Sequence, residues 1–404
     1  MADNQKNCMK ILIAEDDPYS RHILQRRLEK WGYDVDVARD GNEAWEKFKG
    51  GNHSIVISDW MMPGMDGLEL IRRIRSQNGK GYVYTILLTA RDRKEDLILG
   101  IETGADEYLT KPLDADELRV RLNTGERIVQ LEKKLAARNR ELEYANQRMR
   151  SSLEAAANIQ TSLLPQTVPQ VEGMTFAWTF RPCQELAGDI FNVFPLGEHH
   201  IGFYLLDVSG HGVPAALLSV TLSRILNPRN NPTILTNFQK GDLSEISIND
   251  PVEVVGYLNR QFPLEVTTEQ YFTLIYGIID LRNMQMQYVS AGHPGMIYLP
   301  VKGKPSVLEV VSFPIGFYEE ASYESHVLQL EPGDRLFLYS DGVIEVRRTN
   351  GELYGKSRLL QLLVNHLNEG LEDNLQFLLD ELHRWSGSEL FEDDLTVLAM
   401  EITR

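Results

Sequence analysis

ERIVQLEKKLAARNRELEYANQRMRSSLEAAANIQTSLL, residues 126–164, contains neither Gly nor Pro, and Pro165 follows it. Such a span is predicted to be helical throughout, about 55–60 Å long at about 1.5 Å per residue. Ile128, Leu131, Leu135, Leu142, Ala145, Met149, Ala156, Ile159 and Leu163 recur at alternating steps of three and four. Sustained over about five heptads, that spacing is a coiled-coil seam. Arg138 and Ser152 fall on its d positions and weaken it. A solvated connecting helix is the plain alternative, because charges fill the other faces. A lone helix would leave the seam wet, so the expectation is a parallel homodimer through residues 126–164. The helix separates two regions of different patterning, which sets the expected organisation: a domain at 1–124, a helical coiled-coil linker at 125–165, and a second domain at 166–404.

The 404 residues suffice for two or three cores, and 43% hydrophobic with 25% charged content is ordinary for a globular chain. The net charge of −17 argues against nucleic acid or an anionic membrane as a partner and suits acidic clusters around divalent cations. The two cysteines, Cys8 and Cys183, fall in different regions, so no disulfide framework is expected and a reducing, cytoplasmic compartment is. A polar start and the lack of any long apolar run predict neither a signal peptide nor a transmembrane helix.

From residue 10 to about 124 apolar strands alternate with amphipathic helices. Strands are expected at Lys10–Ala14, Asp34–Ala38, Ser54–Ser58, Thr85–Thr89 and Glu107–Leu109, and helices at Tyr19–Trp31, Gly41–Lys49, Gly67–Gln77, Lys94–Glu102 and Ala115–Asn123. That alternation predicts a doubly wound α/β domain, a parallel sheet with ligands beyond the carboxyl ends of its strands. At those ends stand Glu15, Asp16 and Asp17, then Asp59, then Thr89, then Lys111 before Pro112. Converging carboxylates repel one another unless a cation sits among them, and oxygen ligands open to phosphate indicate Mg²⁺. A Lys and a hydroxyl beside the same carboxylate suit phosphoryl oxygens, which points to phosphoryl transfer onto Asp59.

The segments IAEDDP (13–18), SDWMMPGMDG (58–67), LLTA (87–90) and YLTKP (108–112) resemble the response-regulator receiver family, with its flavodoxin-like fold. The resemblance implies Asp59 as phosphoacceptor, and Glu15, Asp16 and the Met61 carbonyl as co-ligands of Mg²⁺. It implies Thr89 and Lys111 as phosphoryl contacts and Tyr108 as an aromatic switch. A half-buried edge residue is the plainer reading of Tyr108.

Residues 166–404 alternate at period two, with strands expected at Thr175–Arg181, Ile190–Leu196, Ile201–Asp207, Phe272–Asp280, Gln285–Ser290, Met296–Leu299, Ser306–Val311, Ser325–Leu330, Arg335–Tyr339 and Thr396–Glu401. Helices are expected at Pro214–Leu226, Val252–Phe262, Ser357–Asn368 and Asn374–Ser386, with hairpin turns at Leu281–Met284 and Val301–Pro305. Meandering strands with a few long helices predict an antiparallel α+β sandwich. The Pro- and Asn-rich stretch 227–250 reads as a flap or insertion. Chemistry again falls on aspartates at strand ends: Asp189, Asp207, Asp341 and the Asp393–Asp394 pair. Each alone suits a turn. Four strands contributing carboxylates can instead hold two hard cations about 4 Å apart, which activate water and clamp a phosphoryl group. No G-x-S-x-G or Cys nucleophile motif offers a covalent route.

AANIQTSLLPQTVP (156–169), AGDIFN, LLDVSGHGVPAAL, LNRQF, YFTLIYGIID, SAGHPG, PIGF, PGDRLFLYSDGVIE and DDLTV resemble, in order, the type 2C metal-dependent serine/threonine phosphatases of the SpoIIE/RsbU-like branch. The resemblance implies Asp189, Asp207, Asp341 and Asp393 as catalytic metal ligands for two Mn²⁺ or Mg²⁺ ions, the Val208 carbonyl completing the shell and Asp394 as the adjacent candidate. Ala187 and Asn192 depart from the family's usual Gly and Asp. His211 is expected in a loop role, His293 in the core, and Arg181 at the surface with phosphate contact as its alternative.

Together these readings predict a bacterial two-component regulator. A sensor histidine kinase would phosphorylate Asp59, and the helix would pass the change to a phosphatase acting on a phosphoserine or phosphothreonine protein, typically an anti-sigma-factor antagonist. The rival is a catalytically silent phosphatase-like adaptor that binds a partner under receiver control. A cyclase output lacks its glycine-acidic loop and a DNA-binding output its basic helix.

Overall fold

The computed structural model describes residues 9–77, 81–90, 103–167, 170–238, 246–264 and 270–403. The chain divides into two compact units, Met1–Arg148 and Met149–Arg404. In the first, β1 (Lys10–Ala14), α1 (Pro18–Lys30), β2 (Asp34–Ala38), α2 (Gly41–Gly50), β3 (Ile55–Asp59), α3 (Gly67–Ser76), β4 (Tyr84–Thr89) and β5 (Glu107–Thr110) precede the long helix α4 (Ala115–Leu163). The strands form one sheet in the order β2-β1-β3-β4-β5, parallel throughout. Alternate residues of β1 and β3 explain the double winding. Ile11, Ile13, Ile55 and Ile57 join the core of α1 and the start of α4, whereas Leu12 and Val56 join that of α2 and α3. Asp17, Asp40 and Asp66 each cap a helix by accepting the N–H of Ser20, Glu43 and Glu69, so Asp17 is a cap. The helix expected at Lys94–Glu102 lies outside the described residues.

The expected break between a helix ending at Asn123 and another starting near Glu126 is corrected: α4 runs through without interruption. Gly125, inside the helix, serves close packing. A Cβ there would lie 2.4 Å from the Tyr84 ring, so only glycine lets α4 rest against β4. Leu118, Leu122 and Val129 are buried beneath it. Further on the seam is bare: Leu135 is 55% exposed, Leu142 60% and Ile159 64%.

The second unit contains β6 (Met174–Arg181), β7 (Ile190–Leu196), β8 (His200–Val208), α5 (Val213–Ile225), α6 (Pro232–Leu235), β9 (Thr236–Phe238), β10 (Ile246–Ile248), α7 (Pro251–Gln261), β11 (Phe272–Asp280), β12 (Gln285–Ala291), β13 (Met296–Leu299), β14 (Ser306–Leu308), β15 (His326–Gln329), β16 (Arg335–Tyr339), α8 (Asp341–Ile344), α9 (Lys356–Asn365), α10 (Leu371–Ser386) and β17 (Leu395–Ile402). Two five-stranded antiparallel sheets, β15-β12-β11-β8-β7 and β14-β13-β16-β17-β6, stack face to face. Phe203, Ile275, Phe176 and Leu398 belong to one continuous core with Leu222 of α5 and Val254 of α7. The other face of the second sheet, with Phe337 and Val397, is covered by α9 and α10. Both expected hairpins pair as read, while β14 stops at Leu308, short of Val311. Within 227–250 the chain forms α6 and the β9–β10 hairpin, and residues 239–245 lie outside the described set. Among the described residues no helix is long and apolar enough to cross a membrane.

Candidate functional site

In the first unit Glu15 follows β1 and Asp59 ends β3, its neighbour in the sheet. Glu15, Asp16 and Asp59 each offer a carboxylate oxygen within 4.8 Å of the others. Lys111 Nζ donates to both Glu15 and Asp59 at 2.7 Å. Burial disfavours the Lys111 ammonium, yet these two bonds hold its pKa above the usual lysine range. Burial also raises the Glu15 carboxyl, as does Asp59, against the pull of Lys111. Glu15 Oε1 is buried and has no hydrogen-bond partner. An orphaned oxygen in a three-carboxylate cluster fits a hard divalent cation. Thr89 is buried at the end of β4, and its carbonyl accepts the Lys111 N–H at 2.8 Å, which ties the two together. Tyr108 is half-buried on β5 against the cluster of Trp60, Leu68, Ile71 and Leu87. Met61 lies beyond β3 with its side chain exposed.

The second unit gathers its aspartates from both sheets. Asp189 immediately precedes β7, Asp207 lies near the end of β8, Asp341 opens α8 after β16, and Asp393 and Asp394 precede β17. Asp189 is 1% exposed, and neither of its oxygens makes a hydrogen bond of normal geometry. Burial first, then the Asp394 charge, lifts its pKa well above the carboxylate range, against the hydroxyls of Thr396 and Ser340. Asp207 is lifted likewise by burial and then by Asp189, Asp341, Asp393 and Asp394. Burial and Asp393 raise Asp341 to about 6, offset by hydrogen bonding with Asp207. Asp393 is raised by burial, while the Asp394 N–H and nearby His211 pull it down. Repulsion among these five carboxylates, with Asp189 buried and lacking a hydrogen bond of normal geometry, fits divalent cations of the Mg²⁺ or Mn²⁺ kind.

Backbone positions hold this cluster. At Gly342 a Cβ would fall 2.0 Å from the Asp394 carbonyl oxygen, so the Ser-Asp-Gly turn brings α8 against the start of β17 only with glycine there. The Val208 carbonyl oxygen lies 2.9 Å from an ideal Cβ at residue 188, beside Asp189. Asp394, whose ligand oxygens also come within 4.8 Å of those of Asp393 and Cys183, anchors the β6–β7 loop: its two oxygens accept the N–H groups of Cys183 at 2.8 Å and Gly188 at 2.6 Å. Burial and Asp394 push the Cys183 thiol up to about 12. His211 is exposed, and His293 is buried with Nδ1 2.8 Å from the Thr273 hydroxyl. Arg181 is exposed, in register with Leu395 at the edge of the cluster.

Sequence reasoning assigned no role to Gln160. This buried amide, near the end of α4, donates to the Ala187 carbonyl at 2.6 Å and to Ser219 Oγ at 3.1 Å, and accepts the Ala187 N–H at 3.1 Å. The available signal was an amide standing among Ile159, Leu163 and Leu164 in a segment ending at proline.

Comparisons with known proteins agree with this geometry. The family description "Stage II sporulation protein E (SpoIIE)" matches residues 197–403, and "Response regulator receiver domain" matches 11–123. The phosphoserine phosphatase RsbU of Bacillus subtilis is 29% identical over 255 residues, 63% of this chain and 71% of RsbU. The two-component response regulator PhoP of Pseudomonas aeruginosa is 42% identical over 115 residues, 28% of this chain and half the length of PhoP. The solved SiaA-PP2C domain of Pseudomonas aeruginosa superposes with a TM-score of 0.52 at 20% identity, covering 64% of this chain and 98% of that one, which shows the shared fold. With a receiver sheet, a long helix and an antiparallel phosphatase-type sandwich in series, the chain belongs to the SpoIIE family and carries a response-regulator receiver domain ahead of its PP2C-like domain.

Proposed function

We propose that the chain is a response regulator in which phosphorylation of Asp59 controls a metal-dependent protein serine/threonine phosphatase. The functional division is a receiver at 1–124, a linker at 125–165 and a phosphatase at 166–404. The observation that carries the reading is Asp189, fully buried, unsatisfied and ringed by like charges, a state that a protein sustains around cations. Asp189, Asp207, Asp341 and Asp393, with the Val208 carbonyl, would hold two Mn²⁺ or Mg²⁺ ions. Bound there, the ions supply Lewis acidity for direct attack of water on a phosphomonoester. Asp394 fixes the Gly188–Asp189 turn through its two N–H acceptances, and Gln160 fixes Ala187 beside it.

In the receiver Glu15, Asp16, Asp59 and the Met61 carbonyl would hold Mg²⁺, with Lys111 and Thr89 meeting the phosphoryl group and Tyr108 answering the change. The phosphate donor would be a sensor histidine kinase, and added charge at Asp59 would redirect the Lys111 contacts. The bare seam of α4 supports a parallel dimer through residues 126–164, and Gln160 gives that helix a handle on the Asp189 turn. The substrate class is a phosphoserine or phosphothreonine protein, such as an anti-sigma-factor antagonist, in the bacterial cytoplasm. Retention of all four carboxylates disfavours the silent adaptor. Hydrolysis of a small aryl phosphate with Mn²⁺, comparing wild type with Asp341→Ala, tests the enzyme; equal rates reject it. The coupling is tested by adding an acyl-phosphate donor to wild type and Asp59→Asn, which should respond differently.

A further inference from the structure

A cavity of about 690 Å³ shares Gly342 and Asp393 with the carboxylate cluster and continues along the loop after α8. Arg347, Arg348, Ser386, Ser388 and Leu390 are among its lining residues. The two arginines sit on a tight turn. Arg347 bridges Leu353, the Arg348 N–H donates to the Glu352 carbonyl at 2.9 Å, and the Gly351 N–H donates to the Arg348 carbonyl at 2.8 Å. The Arg348 guanidinium lies 4.9 Å over the Trp385 ring, and among the described residues no carboxylate stands within ion-pair distance of it. Stacking on an aromatic face orients such a fork and leaves its N–H groups available. Arg347 reaches Glu392 at 3.7 Å, but that pair is loose, with side chains 51% and 81% exposed, so an incoming carboxylate can displace Glu392 at little cost. Glu345, also in the lining, faces the acidic cluster, where its charge raises Asp341 and Asp393.

We propose that this cavity is a recognition subsite for acidic side chains flanking the phosphorylated residue of the substrate, with Arg347 and Arg348 as its specificity-determining groups. The proposal rests on the phosphatase reading, because it takes the phosphorylated residue to occupy the adjoining aspartate cluster. The planar guanidinium fork matches carboxylate geometry, and the Ser388 hydroxyl on the same lining, which accepts the Leu390 N–H at 3.0 Å, adds a neutral donor.

The test uses the full chain with Mn²⁺ and two phosphoserine peptides that differ only in carrying Glu or Ala beside the phosphoserine. Wild type should prefer the Glu peptide by about tenfold in kcat/KM, through KM. Arg347→Glu combined with Arg348→Glu should bring that ratio to about one or reverse it, and the double lysine variant should keep part of it. Fluorescence anisotropy of the same peptides on Asp189→Asn protein gives an activity-independent readout and should show the same order of affinity. Equal treatment of the two peptides by wild type in both measurements overturns the subsite. Failure of wild type to hydrolyse an aryl phosphate would instead count against the phosphatase reading, with the anisotropy comparison still deciding the subsite.

Discussion

Gln160 holds Ala187 by both of its backbone groups, the side-chain amide donating to the carbonyl at 2.6 Å and accepting the N–H at 3.1 Å. Two residues later comes Asp189, whose oxygens make no hydrogen bond of normal geometry although the Thr396 and Ser340 hydroxyls lie near them. A helix end thus sets the position of a buried carboxylate through three consecutive residues.

Replacing Gln160 by Leu should leave the Ala187 N–H buried without a partner and its carbonyl with only the Ser219 hydroxyl at 3.4 Å, at a cost of about 1–3 kcal/mol. The Asp189 turn should loosen, so the Mn²⁺ concentration for half-maximal aryl-phosphate hydrolysis should rise at least severalfold. An unchanged Mn²⁺ requirement would show that the clamp serves folding alone.

Metal removal should be visible in stability. Mn²⁺ at about 100 times its dissociation constant should add about 2.7 kcal/mol, or about 5–10 °C in Tm for a unit of this size. Asp189→Asn relieves a buried, repelled charge, so it should melt higher than wild type in EDTA and gain little from Mn²⁺. Differential scanning calorimetry of the two proteins, with and without metal, checks both signs.

Burial holds the His293 imidazole down at about 3. Its ordinary value in the unfolded chain is about 6.5. A depressed folded pKa means that the unfolded chain binds the proton first. The contribution is therefore full above pH 6.5 and is lost as pH falls toward 3, by up to about 1.4 kcal/mol per pH unit. The raised aspartates act in the opposite sense. Urea midpoints of wild type and His293→Gln at pH 7 and pH 5 isolate the histidine: the variant should lose less on acidification. A parallel decline in the two proteins would contradict this.

Acyl-phosphate labelling should modify one site, and intact mass should show no adduct on Asp59→Asn. Lys111→Met strips Glu15 and Asp59 of their shared cation, and should retain Mg²⁺ binding while slowing labelling by at least tenfold. Labelling at the wild-type rate would remove Lys111 from the phosphoryl contact.

Leu142→Glu places a charge on the exposed seam and should convert a dimer to a monomer in light scattering, with the melting of the receiver core unchanged. A monomeric wild type would leave the seam without that partner.

Much of this was readable beforehand because period-two and β/α patterns, and aspartates followed by glycine, report strand ends directly. The receiver strands and the two hairpins of the sandwich came from such local signals. What local signals could not supply was three-dimensional. Gly125 looks like a helix breaker until the Tyr84 ring is seen against it. Asp394 stands beside Asp393 in sequence, but only the fold shows the N–H groups of Cys183 and Gly188, each distant in sequence, on its oxygens. Gln160 lies 27 residues from Ala187, and no periodicity encodes that contact.

α4 passes through Gly125 without a joint. One residue added to its bare middle would turn the seam beyond it by about 100°, whereas seven would restore the stripe to within about 20°. The exposed seam stays continuous only across insertions of whole heptads, so these should preserve its self-association where a single added residue breaks it.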